Sequence, residues 1–60
     1  MKCSEFRRWL QAQGVTLTPA KGSHFKLTLG DRRSIFADHG SKEIGKGVRQ
    51  KILKDLGLKD

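Results

Sequence analysis

The residues of this chain best suited to chemistry lie in one short stretch, Gly22-Ser23-His24-Phe25-Lys26, with two more cations at Arg32 and Arg33. A neutral imidazole takes a proton from a hydroxyl, and fixed cations beside it hold a phosphate and stabilise the charge that grows on it. Both needs meet in the cleavage of RNA by its own 2′-hydroxyl. A base removes the hydroxyl proton, the oxygen attacks the adjacent phosphorus, and Lys or Arg stabilises the developing charge. His24 is the candidate base, and Lys26 with Arg32 or Arg33 the candidate phosphate binders. Ser23 lacks an Asp to complete a triad with His24, so it suits a cap or a phosphate hydrogen bond better than nucleophilic attack. His39, in Asp38-His39-Gly40-Ser41, is a candidate for a secondary acid, for a residue that orders its loop, or for a partner contact.

Other groupings carry less. The 2′-hydroxyl scheme needs no metal, and the 6 Asp and Glu residues are too scattered to form a converging carboxylate set. Cys3, His24 and His39 lack the paired spacing of a zinc site. No cofactor is expected. Lys21-Gly22-Ser23 is too short for a phosphate-cradling P-loop. Gly45-Lys46-Gly47 reads as an ordinary helix start, with a phosphate site on its backbone amides as the sharper alternative. Phe6 and Trp9 read as core and Cys3 as incidental.

These side chains need elements to position them. Residues 4–13 read as a helix, since Phe6, Trp9, Leu10 and Gln13 recur at three and four while Arg7, Arg8 and Gln11 fall on other faces. Ser4 is the expected N-cap, Glu5 suits the positive end of the helix, and Gly14 supplies a left-handed exit. Residues 15–18 alternate like a strand that ends at, or lies on an edge because of, Pro19. After a loop at 20–23, residues 24–29 alternate strictly, Gly30-Asp31 signals a two-residue hairpin, and 32–37 return as the partner strand. That hairpin pairs Leu29 with Arg32, Lys26 with Ile35 and His24 with Ala37. His24, Lys26, Thr28 and Arg33 then share the face turned away from Phe25 and Leu27. Phe25 and Phe36 fall on the packed face, which argues against a stacking-based reader of single strands. A polar loop at 38–45 leads to a second helix, 46–56, with Val48, Ile52, Leu53 and Leu56 as its apolar stripe, Lys51, Lys54 and Asp55 facing solvent, and Gly57 as its stop.

The predicted fold is therefore α+β, in the order α-β-β-β-α. The two helices bury their stripes on one face of a three-stranded antiparallel sheet and leave the other face to water or a ligand.

Composition narrows the partner. With 60 residues there is room for one small domain, which buries only about 60% of the surface its unfolded chain exposes and has no deep cleft for a large cofactor. The 13 Lys and Arg give a formal net charge of +7, a field that attracts polyanions. The longest apolar run, Ile35-Phe36-Ala37, is far below the roughly 20 residues that span a bilayer, so no membrane partner is expected. Glu5, Arg7 and Arg8 interrupt the start where a secretory signal would be apolar. The single Cys forbids an intrachain disulfide and suggests a reducing cytoplasm. Three functions fit this charge: a ribonuclease, a non-catalytic double-stranded-RNA-binding module, and a basic adaptor for a protein partner. The first two separate at His24; the third predicts no salt-sensitive RNA binding.

Several pieces in order narrow the choice: Ser4-Glu5-Phe6, Gly22-Ser23-His24, Arg32-Arg33, His39-Gly40, Glu43-Ile44, Ile52-Leu53-Lys54 and Leu56-Gly57-Leu58. With them the chain resembles, over essentially residues 1–60, the HicA toxins of HicA–HicB toxin–antitoxin pairs. The resemblance implies one HicA-like domain with a double-stranded-RNA-binding-domain-like fold, an mRNA-cleaving ribonuclease that blocks translation, and a HicB-type antitoxin that covers the site. The family's catalytic histidine maps onto His24; the roles of Lys26, Arg32, Arg33 and His39 rest on their chemistry. Gly45-Lys46-Gly47 departs from the family's less flexible helix starts. An acidic antitoxin would be steered to the +7 surface, and by covering the sheet face it would shield His24.

Overall fold

A computed structural model describes residues 1–59. Its elements are α1 (Cys3–Ala12), β1 (Thr16–Pro19), β2 (His24–Leu29), β3 (Arg32–Ala37) and α2 (Lys46–Leu56). The strands form one antiparallel sheet in the order β1-β2-β3. This is the expected α-β-β-β-α order.

The hairpin register is the one that Gly30-Asp31 predicts, with Leu29 opposite Arg32, Lys26 opposite Ile35 and His24 opposite Ala37. Gly30 has φ +60° while Asp31 keeps an ordinary φ, so the tight turn rests on the one residue that takes this conformation without strain. Leu27 and Phe36 point to the helices and are buried with Phe6 and Leu10 of α1 and Ile52, Leu53 and Leu56 of α2. Phe6 stacks on Trp9 at 5.9 Å and meets the edge of Phe36 at 5.5 Å.

Four expectations change. The first concerns the start of α1. Its N-cap is Lys2, not Ser4. Glu5 Oε1 accepts the Lys2 amide at 2.8 Å. The amides of Cys3 and Ser4 donate to the carbonyls of Lys42 (2.8 Å) and Gly40 (3.0 Å). Segment 38–45 is thus folded back over the helix start, and its carbonyls accept the first two amides of α1. Cys3 is accordingly a core residue rather than an incidental one. Second, β1 runs one residue later than expected, because Val15 is buried at the end of α1 and its amide bonds to Leu10 O at 3.1 Å. Pro19 still occupies the last register position, opposite Phe25, where an edge strand tolerates a missing donor.

Third, Val48 is 54% exposed. Ile52, Leu53 and Leu56 centre the buried face of α2 near the direction of Arg49, about 90° around the helix from Val48. Fourth, Asp55 is half-buried rather than solvated with its neighbours. It accepts a hydrogen bond from Ser34 Oγ (2.9 Å) and one from Lys51 Nζ (3.2 Å), which ties α2 to β3.

Candidate active site

The turn before β2 sets the position of His24. The Lys21 carbonyl accepts the His24 amide at 3.2 Å. Gly22 has φ +64°, and nothing lies within 4 Å of where a side chain would begin, so the backbone alone demands glycine here. The His24 carbonyl accepts the Ala20 amide at 2.8 Å, and the Ser23 carbonyl accepts the Asp38 amide at 3.0 Å. His24 is exposed on the sheet face away from the helices. Its ring is held too: Nδ1 lies 3.1 Å from the same Lys21 carbonyl oxygen. A carbonyl only accepts, so this bond places the proton of the neutral ring on Nδ1 and leaves the Nε2 lone pair free.

Lys26 stands two residues along the same strand face, about 7 Å from His24. It is opposite Ile35, and Thr28 is opposite Arg33. Lys26 and Arg33 are exposed and line one open groove with Thr18, Thr28, Ile35 and Lys51. No strand position on this face is acidic. The carboxylate that does line the groove, Asp55, is engaged with Ser34 and Lys51. The Ser34 hydroxyl and then the Lys51 ammonium hold its carboxyl below the usual carboxylate range. The face therefore offers a proton acceptor at one end and cations along it, the arrangement that phosphodiester cleavage by a neighbouring hydroxyl requires.

The structure separates Arg32 from Arg33. Arg32 pairs with Leu29 and so faces the helices, where its side chain lies against Gly57. A Cβ on Gly57 would stand 2.8 Å from Arg32 Nε. Arg33 joins Lys26; Arg32 does not. Ser23 is exposed in the turn beside His24. His39 is exposed two residues beyond Ala37, the strand partner of His24, so it belongs to the same end of the sheet.

The sequence pattern puts Arg7 off the apolar face of α1 and Asp38 in a loop. In the structure Arg7 lies over the Phe25 ring, 4.6 Å from its centroid, and its Nη1 is 3.4 Å from Asp38 Oδ2. Asp38 Oδ1 accepts the Gly40 amide at 2.8 Å. The Asp-X-Gly spacing at 38–40 is a signal for this last turn; the arginine partner, 31 residues away, leaves none.

No helix among the described residues is long and apolar enough to cross a membrane, and no group of three or more potential metal-ligating side chains occurs among them.

Comparison with known proteins identifies the family. The family profile described as HicA toxin of bacterial toxin–antitoxin systems matches residues 3–58. "Probable mRNA interferase HicA" of Pseudomonas fluorescens (strain Pf0-1) is 60% identical over 60 residues, covering 100% of both chains. "Probable mRNA interferase toxin HicA" of Escherichia coli (strain K12) is 52% identical over 59 residues, 97% of this chain and 98% of the relative. Among solved structures, a chain of the crystal structure of the E. coli HicAB toxin–antitoxin complex superimposes with a TM-score of 0.87 at 46% identity, covering 97% of this chain and 100% of that one. The chain belongs to the HicA toxin family.

Proposed function

We propose that residues 1–60 act as one HicA-like domain, a cytoplasmic toxin that cleaves mRNA without a metal ion, with His24 as general base. Nε2 of His24 takes the proton of a ribose 2′-hydroxyl as its oxygen attacks the adjacent phosphorus. The bond from phosphorus to the 5′-oxygen breaks, leaving a 2′,3′-cyclic phosphate on one fragment and a 5′-hydroxyl on the other. Lys26 and Arg33 hold the non-bridging oxygens, and Ser23 donates a hydrogen bond from the turn. His39 returns a proton to the leaving 5′-oxygen or meets a partner. Arg32, turned to the helices, supports the fold rather than the phosphate. The carrying observation is the bond from Nδ1 to Lys21 O, which leaves Nε2 free on an exposed cationic face.

The toxin–antitoxin family and the HicAB complex support a HicB-type antitoxin as partner. It inhibits by covering the sheet face, with acidic side chains toward Lys26 and Arg33.

The test is cleavage of a labelled RNA in EDTA, beside the same RNA with a 2′-deoxy sugar at the cut site. Cleavage of the first alone is expected; cleavage of the deoxy substrate, or loss of all cleavage in EDTA, overturns the mechanism. His24→Ala is expected to lower the rate by roughly 10²–10⁴ while RNA binding persists.

A further inference from the structure

We propose that Arg7 and Asp38 form a clamp that holds the His24 turn against α1, which makes Asp38 a positioning residue for cleavage; this rests on the reading of His24 as the base. His24 is the first residue of β2, exposed and outside the core, so the core does not fix its ring. The ring takes its orientation from Lys21 O, and the turn in turn needs an anchor.

That anchor is Asp38. Its amide donates to the Ser23 carbonyl at 3.0 Å, one residue before His24. Its Oδ1 accepts the Gly40 amide at 2.8 Å, which shapes the segment bearing His39. Its Oδ2 takes Arg7 Nη1 at 3.4 Å. The Asp38 side chain is only 11% exposed. Arg7 also covers Phe25, the residue after His24. Arg7 therefore grips both sides of His24 from α1, which the buried Phe6 and Leu10 fix in the core.

The side of the sheet matters. Phe25 pairs with Phe36 on the helix-packed face, so Arg7 approaches from beneath, away from Lys26 and Arg33. The Arg7 side chain is 42% exposed, and ion pairs this wet stabilise little. Its expected contribution is to the geometry of proton removal, where small misplacements are costly.

The experiment measures kcat and KM for cleavage of a labelled RNA by Arg7→Gln, Arg7→Lys, Asp38→Asn and His24→Ala, with thermal melts and ¹⁵N spectra of the His24 ring. Arg7→Gln and Asp38→Asn are expected to lower kcat about tenfold or more with KM near the original value. Arg7→Lys, which keeps the charge, retains most of the rate. The ring nitrogens of Arg7→Gln shift from the Nδ1–H form toward a mixture of tautomers. Unchanged kcat in folded Arg7→Gln overturns the clamp, as does a raised KM with kcat intact, which would make Arg7 an RNA contact. If Asp38→Asn does not fold, Arg7→Gln decides. Full activity of His24→Ala overturns the base assignment itself; an inactive His24→Ala beside a fully active Arg7→Gln overturns the clamp alone.

Discussion

Two adjacent arginines with opposite orientations make a sharp test of the RNA face. Both are exposed, but Arg33 stands opposite Thr28 and in the groove with Lys26, whereas Arg32 lies against Gly57 on the helix side. On the proposed reading, replacing Arg33 by Ala removes one phosphate contact. On a single strand that lowers the slope of log affinity against log salt by about 0.7. Over a fourfold rise from 50 to 200 mM salt, the difference between variant and original should shrink by about 2.5-fold. At the low-salt end the lost contact, an exposed ion pair, is worth up to about 1 kcal/mol, or roughly fivefold in Kd. Arg32→Ala should leave both slope and low-salt affinity where they were. Fluorescence anisotropy of a labelled RNA carrying a 2′-deoxy sugar at the cut site, titrated at four salt concentrations, reads both quantities without cleavage. Equal loss of slope in the two variants would refute the assignment of faces, and with it the argument from strand register.

Gly57→Ala should destabilise the fold by about 1–2 kcal/mol from the left-handed backbone alone, since Gly57 has φ +71°. The melting temperature should fall by roughly 5–15 °C. Adding Arg32→Ala should recover part of the loss, because the new Cβ would otherwise meet Arg32 Nε at 2.8 Å. Asp55 makes stability depend on acid. Its folded carboxyl is held below the ordinary value by Ser34 and Lys51, so its contribution is complete above the unfolded value and disappears as pH falls through the folded one. Urea midpoints between pH 6 and pH 2 should therefore fall more for the original chain than for Asp55→Asn, and parallel curves would count against the Ser34 link.

Much of this architecture is local in origin and so was readable from the chain. Alternation over β2, a glycine-led turn and a returning strand determine the register, and the register determines that His24, Lys26 and Arg33 share a face. The same pairing of Leu29 with Arg32 already separates the two arginines, although adjacency in sequence and a common charge invite treating them alike. Distant contacts were harder to see. Ser4 has the chemistry of a cap, but α1 begins earlier: carbonyls from Lys42 and Gly40 accept its first two amides, and the Phe6 amide that a cap at Ser4 would serve bonds to Lys2 O. Val48 falls at the margin of a stripe whose centre is set by what α2 packs against. Arg7 and Asp38 meet across 31 positions, with no periodicity to announce it.

Because both helices lie on one side of the sheet, the broad strand surface opposite them is a single undivided territory. A nucleic-acid strand and a protein inhibitor that each read it exclude one another by simple trespass, with no shape change to relay the message. If cleavage uses His24, Lys26 and Arg33 as proposed, changes at those positions that loosen such an inhibitor also cost turnover.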